Sequence, residues 1–277
     1  MINLFYITNN IVEAKIVDNL DIDWIFIDLE TMGKKDRQIG RDTVLSNHSI
    51  TDISRIKNII HNTKILVRCN PIGEWSKNEF DEINCLDAEI DMVMLPFFKT
   101  RDEVKIFIDL LDTSKIKPAL LVETLDAIAN LEEILKLFPF EYVHIGLNDL
   151  NIERGTVSMF EPFVDGLMSK VTSILRNNNQ NFGIGGIGKI GSNIFPTPEC
   201  LINEHLRLKS NGVILSRSFK GTFTEEQKNI FKMELAKSVI DLRKYEKKAK
   251  NFNNKQLKES YELMSNDINR VIKNGNI

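Results

Sequence analysis

Cysteine is scarce: Cys69, Cys85 and Cys200 are all that the 277 residues contain, and no two of them form a Cys-x-x-Cys pair. An odd, widely spaced set excludes a disulfide framework and offers no zinc-ligand spacing. Positive charge is not in excess either. The formal net charge is −3, which gives no sign of the basic surface that a nucleic-acid or anionic-membrane partner requires. No apolar run approaches the roughly 18 residues needed to span a bilayer. The opening residues, MINLFYITNN, carry no basic segment ahead of an apolar one, so the expectation is a cytoplasmic chain without a signal peptide. Nucleotide fingerprints are missing as well. No Gly-x-Gly-x-x-Gly follows the first strand pattern, and no Gly-Lys-Ser/Thr closes the glycine-rich stretch GIGGIGKIG at 183–191.

What is present is alternation. Strand-like runs at 2–7, 24–29, 64–69, 91–95, 117–122, 141–146, 181–184 and 212–215 are separated by stretches of helical spacing. Those stretches cover 9–20, 49–62, 75–88, 100–113, 124–137, 157–178, 196–210 and 224–243. Strands that are apolar on both faces, with helices between them, imply a parallel sheet covered on both sides. Eight of each predict an α/β fold, a (β/α)8 TIM barrel, over residues 1–242; an open doubly wound sheet is the alternative. Residues 243–277 carry nine Lys/Arg against four Asp/Glu, a balance of +5 against −8 for the rest of the chain. Leu257, Tyr261, Met264, Ile268 and Ile272 recur there at helical spacing. This C-terminal helical extension reads as a docking helix or as a solvated basic one.

A barrel places chemistry at the C-terminal ends of its strands. The residues leaving those ends are Asp28 and Glu30, Arg68 and Asn70, Pro96, Glu123, Asn148 and Asp149, the glycine-rich stretch, and Ser216-Arg217-Ser218. Glu123 and Asp149 come from neighbouring strands. With waters and a chelating substrate, two carboxylates make a Mg²⁺ or Mn²⁺ site. Arg68 has the forked geometry to hold a carboxylate. Together these groups suit a 2-oxo acid, with the metal stabilising an enolate as a carbon–carbon bond breaks or forms. Each residue also has a plainer role. Glu123 can favour a helix N-terminus, Asp149 can be a turn former, and Arg68 can be an ion-pair partner of Asp28 or Glu30. The glycine-rich stretch beside Arg217 can cradle an anion or simply turn. The long connection 30–48 lies over the mouth of such a barrel and carries Lys34, Lys35, Arg37 and His48. His48 is a candidate proton carrier, although Ser49 and Asp52 after it have capping-box spacing. His144, inside a strand, reads as core or as support for the site.

The series FIDLE, LVRCN, MVMLP, LLVET, HIGLNDL and GVILSRSF resembles the HpcH/HpaI aldolase and citrate lyase β-subunit family over roughly residues 20–220. The resemblance implies a phosphoenolpyruvate/pyruvate-type barrel with a divalent metal on the residues matching Glu123 and Asp149. It also implies an arginine, matching Arg68, at the substrate carboxylate or oxo group, and assembly as a homo-oligomer, a trimer or hexamer. Aldolases of the family have a histidine, and the thioester lyases an aspartate, where this chain has Thr31. The expectation is therefore a metal-dependent carbon–carbon lyase acting on a small 2-oxo acid. Catalytic roles fall to Arg68, Asp28, Glu30 and His48, and substrate contacts to Arg68, Asn70, Pro96, Asn148 and Arg217. An acyl-coenzyme A lyase and a non-catalytic barrel are the alternatives.

Overall fold

Met92–Leu95 and Tyr142–Ile145 are buried at every position, as strands must be when helices cover one face and a filled barrel lies behind the other. A computed structural model describes residues 1–33, 47–86 and 90–275. Its strands are β1 (Asn3–Ile7), β2 (Trp24–Asp28), β3 (Lys64–Arg68), β4 (Met92–Leu95), β5 (Lys117–Val122), β6 (Tyr142–Ile145), β7 (Phe182–Ile187) and β8 (Gly212–Leu215). They form a closed parallel barrel in chain order, with β1 pairing β8 at the seam. The helices are α1 (Ile11–Val17), α2 (Ile50–Lys57), α3 (Ser76–Asn84), α4 (Arg101–Leu110), α5 (Leu125–Ile134), α6 (Leu147–Arg154), α7 (Leu167–Asn177), α8 (Pro198–Leu208), α9 (Arg217–Lys220), α10 (Lys228–Ala249) and α11 (Asn254–Asn274). The expected (β/α)8 barrel with C-terminal helices is what the chain forms.

The barrel interior is a separate apolar layer of Phe5, Phe26, Leu66, Met92, Met94, Ala119, Leu121 and Tyr142. Tyr142, on β6, reaches over β7 to β8. A Cβ on Gly183 would lie 1.8 Å, and one on Gly212 2.1 Å, from the Tyr142 hydroxyl oxygen, so only glycine fits at either place. His144 is also buried here. Its Nε2 lies 3.0 Å from the Gly185 carbonyl and its Nδ1 3.2 Å from the Tyr142 hydroxyl. A carbonyl only accepts, so Nε2 carries the proton and Nδ1 accepts from Tyr142. Burial pushes the His144 pKa down to about 3.

Some boundaries differ from the sequence expectation. The first part of the glycine-rich stretch is strand, not loop: β7 runs to Ile187, with a register irregularity between Gly183 and Gly186 and a φ of 52° at Gly185. The stretch 157–178 holds a 3-10 turn at Glu161–Phe163 before α7. Position 242 falls inside α10. That helix is fastened to the start of the chain, because buried Glu246 accepts from the Ile2 N–H at 2.7 Å and Arg243 donates to the Ile2 carbonyl at 2.7 Å. The final helix docks on the body. Met264 and Ile268 are buried, Arg207 lies 4.5 Å over the Tyr261 ring, and the Tyr261 hydroxyl donates to the Phe163 carbonyl. The three cysteines are free, and no described helix is long and apolar enough to cross a membrane. Lys34, Lys35 and Arg37 lie outside the described residues.

Gly183→Ala is expected to destabilise the barrel at or beyond the upper end of the ~1–3 kcal/mol typical of overpacking, and Tyr142→Phe in the same chain to recover part of that loss in urea unfolding. The histidines give a pH dependence of known sign. In the unfolded chain a histidine titrates near 6.5, whereas folded His144 stays neutral to about 3 and folded His205, also buried, to about 4. The unfolded state therefore binds more protons in that interval. The stabilisation is complete above pH ~6.5 and is lost as pH falls toward 3 to 4. Thermal unfolding midpoints should drop between pH 7 and 4.5, and His144→Gln should make that slope shallower.

Candidate active site

Arg68 ends β3 directly opposite Asp28, the end of β2, because the two strands pair in register. Its Nε and Nη2 donate to the two Asp28 carboxylate oxygens at 2.8 and 2.7 Å, and Nη1 lies 3.3 Å from Glu30. The guanidinium is only 13% exposed. Burial alone would weaken its charge, but the Asp28 and Glu30 carboxylates more than offset this and raise the pKa. Asp28 also donates its backbone N–H to His48 Nδ1 at 2.9 Å. His48 has a lowered pKa. Burial is the main cause, and Lys220 and Arg68 add to it against the opposing charges of Asp28 and Asp52.

The second group stands on β5 and β6. Glu123 follows β5 and is buried, with Oε1 accepting from the Phe97 N–H at 2.9 Å. Phe97 has a φ of 49°, a left-handed conformation that costs a non-glycine residue about 1 kcal/mol or more and that presents this N–H. The helix cap is not Glu123 but Thr124, whose hydroxyl accepts from Ala127 N and donates to the Phe98 carbonyl. Asp149 is half-buried in the first turn of α6, not in a turn. Burial pushes the Glu123 pKa well above the usual carboxylate range, and the charges of Asp149 and Glu30 push it further. Gly146 keeps the space open, since a Cβ there would come 2.8 Å from Glu123 Oε2.

A cavity of about 590 Å³ opens at this end of the barrel, within the range of small-molecule sites. It brings together Asp28, His48, Arg68, Glu123, Asn148, Asp149 and Arg217. Three other expected residues lie outside its lining. Glu30 is buried behind Arg68, and Pro96 is buried ahead of Phe97. Asn70 is a latch: its Oδ1 accepts from the N–H groups of Thr31 and Met32 at 2.8 and 2.9 Å, and its own N–H and amide donate to Glu79. Sequence reasoning missed Lys220 and Glu13, which also line the cavity. Lys220 lies 3.6 Å from Glu13, donates to the Ile7 carbonyl and sits 4.6 Å over the Tyr6 ring. Burial lowers its pKa, with Glu13 opposing. A lysine in a short polar segment gives no sign in sequence that it will fold inward.

The donor set suits a hard divalent ion. Two adjacent carboxylates, one buried and strained by the other's charge, gain from a cation between them and leave further positions to water or substrate oxygen. Among the described residues there is no group of three or more His, Cys, Asp or Glu side chains that could hold a metal ion.

A model of the HpcH/HpaI aldolase/citrate lyase family matches residues 1–161, while no curated protein matches the chain. Similar solved structures share the barrel. A family protein from Burkholderia cenocepacia J2315 is 14% identical with a TM-score of 0.57, covering 78% of this chain and 87% of that one. An HpcH/HpaI aldolase from Desulfitobacterium hafniense DCB-2 is 13% identical with the same TM-score, covering 78% and 86%. The citrate synthase SbnG is 10% identical with a TM-score of 0.56, covering 86% and 92%.

Removing one partner of a buried ion pair leaves the other charge uncompensated. Asp28→Asn should therefore cost about 3–5 kcal/mol in equilibrium urea unfolding. A loss under ~1 kcal/mol, as for an exposed pair, would show that Arg68 does not depend on Asp28.

Proposed function

The chain belongs to the HpcH/HpaI aldolase/citrate lyase family, and from that premise we propose that it is a divalent-metal-dependent carbon–carbon lyase or aldolase acting on a pyruvate- or oxaloacetate-like 2-oxo acid. The observation that carries this reading is the pairing of Glu123 with Asp149 in the same cavity as Arg68. Glu123 and Asp149 would hold Mg²⁺ or Mn²⁺. When bound, the ion supplies positive charge for the negative charge that develops on the oxo acid.

This chain's own residues do the rest. Asp28 and Glu30 fix the plane of the guanidinium, and Arg68 turns the remainder of its fork to the substrate carboxylate. The charged residues on the cavity wall are Glu13, Asp28, Glu123 and Asp149 against Arg68, Arg217 and Lys220. Among the described residues, acidic groups outnumber basic ones by one when Glu123 is ionised, and a divalent cation at the Glu123–Asp149 pair would reverse that balance in favour of an anionic substrate. Asn148 and Arg217 line the outer part and can meet the second reactant. Aldolase and citrate synthase, the activities in the names of two similar structures, both join or cleave carbon–carbon bonds, which agrees with this reading. Copies of the chain would assemble through the exposed Ile230, Met233 and Ile240 on one side of α10.

A barrel that binds an oxo acid without turning it over is the second reading. It is favoured by Thr31, which stands at the family's acid/base position with its N–H bonded to Asn70.

Calorimetric titration of metal-stripped protein tests the proposal. Pyruvate or oxaloacetate should bind only with Mg²⁺ or Mn²⁺ present, and Glu123→Gln should weaken metal binding by about 100-fold or more with the circular dichroism unchanged. Oxo-acid binding of equal strength in chelator would refute the metal role. Metal-dependent binding without any turnover of aldol substrates would select the non-catalytic reading.

A further inference from the structure

Lys220 enters the metal-dependent reading only as one charge on the cavity wall. We infer that Lys220 is a carbonyl-capturing nucleophile, whose amine condenses with the carbonyl carbon of a small 2-oxo acid to form an imine while Glu13 carries the protons. This goes beyond the metal-dependent reading and does not rest on it. An imine draws electrons from the neighbouring carbon with no ion present.

Local signals on either side of the barrel seam place the two side chains. After β1, Thr8 Oγ1 accepts from the Asn10 N–H at 3.1 Å. Asn10 then caps α1, its side chain accepting from the Val12 and Glu13 N–H groups at 2.8 and 3.1 Å. Glu13 therefore stands in the first turn of α1, and it is buried. After β8, Ser216 caps α9 and Gly221 ends it with a φ of 73°, so Lys220 is the last residue of that helix. Because β1 pairs with β8, Lys220 and Glu13 meet. Lys220 Nζ lies 3.6 Å from Glu13 Oε2, donates to the Ile7 carbonyl and sits 4.6 Å over the Tyr6 ring. The same Glu13 oxygen accepts from the Tyr6 hydroxyl at 3.3 Å.

These contacts fix where the amine is. Ile7, Glu13 and Lys220 all line the cavity, whereas Tyr6 is fully buried behind them. The Lys220 side chain keeps 20% exposure. The amine thus lies between a buried ring and the cavity, with a carboxylate beside it at an ion contact longer than a hydrogen bond. Among the described residues, the titratable groups around it are Glu13 on α1, Tyr6 on β1 and His48 ahead of α2, whose protonation the Lys220 charge disfavours.

A nucleophile, a base beside it and a third group that orients the base are the parts of an activated lysine. Burial lowers the Lys220 pKa against the opposing charge of Glu13, which raises the share of free amine. Burial and the Glu13 charge raise the Tyr6 pKa, so its hydroxyl stays a donor to the carboxylate. The step balances within this group. Glu13 takes one proton from the ammonium, and the freed nitrogen lone pair attacks the carbonyl carbon as the C=O π pair moves to oxygen. Glu13 gives its proton to that oxygen, takes a second from the nitrogen and delivers it to the same oxygen. The oxygen departs as water while the nitrogen lone pair closes the C=N bond. Ammonium and carbonyl become protonated imine and water, and Glu13 ends as it began. A 2-oxo acid suits this site because its carboxylate, bonded to the carbonyl carbon, stays beside the positive charge that the imine retains.

Reductive trapping tests this in chelator, where the carboxylate pair holds no ion. The protein is incubated with excess pyruvate and cyanoborohydride, and the modified peptides are mapped by mass spectrometry. Trapping is irreversible and accumulates from brief encounters, so it does not require the tight binding expected with Mg²⁺, and failure of the lyase reading leaves the result intact. Lys220 should carry the reduced pyruvate adduct before any surface lysine does. Lys220→Arg keeps a positive charge but cannot condense, and should lose that adduct with the circular dichroism unchanged. Glu13→Gln removes a negative charge and so leaves more of the amine neutral. It should nonetheless trap about 10²-fold more slowly, for want of a proton carrier. No adduct on Lys220, or labelling no faster than at the surface, would overturn the inference and leave a buried ion pair that ties α9 to α1. Unslowed trapping in Glu13→Gln would overturn the part given to Glu13.

Discussion

A guanidinium that is largely removed from water is the constraint around which the mouth of this barrel is organised. An unpaired charge there would cost several kcal/mol, so Arg68 requires carboxylates, and β2, in register beside it, supplies Asp28 and Glu30. The consequences spread outward. Because Asp28 is fixed by Arg68, its amide is fixed too, and that amide donates to His48 Nδ1. Because Glu30 turns inward, the chain after it needs an anchor. Asn70, two residues past Arg68, holds Thr31 and Met32, and Glu79 holds Asn70 in turn.

The two charged systems of the cavity are built on opposite principles. Around Arg68 the opposite charges are paired and hydrogen-bonded, so the guanidinium is held in one orientation. Around Glu123 they are mismatched. A buried carboxylate faces Asp149 and Glu30 with Phe97 N–H as its near donor, and its pKa rises accordingly. A matched pair contributes shape and orientation; a mismatched pair stores affinity for a cation. On the proposed reading, having both in one cavity would give an anionic oxo acid a fixed end and a metal-dependent end.

Much of this was legible in the residue order. Strands buried on both faces cannot be disguised, and a polar residue straight after such a run, as in FIDLE or LVRCN, marks the mouth because strand ends are where a barrel meets solvent. What failed to show has physical reasons. Thr124, not Glu123, caps α5, a choice between adjacent residues that depends on which way the chain turns on leaving β5. GIGGI looks like loop but is strand: Gly183 clears the Tyr142 hydroxyl, while Gly185, with a positive φ and Leu147 where its Cβ would be, lies within the register irregularity of β7. Lys220 and Glu13 lie about two hundred residues apart and meet only because β1 closes on β8. Residue 242 looked like a boundary because charge changes sign near it, yet one continuous helix crosses it.

The fastening of Ile2 to Arg243 and Glu246 bears on how the protein emerges from the ribosome. β1 is made long before its β8 neighbour and the side chains that hold Ile2, which lie more than two hundred residues behind it. At synthesis rates of about 5–20 residues per second, one side of β1 therefore stays an open sheet edge for on the order of ten seconds or longer. Such an edge readily pairs with another chain. The nascent barrel is thus a clamp that stays open until β8 and α10 have been delivered, and the cavity, whose walls come from β1 through α9, takes its shape only at that step.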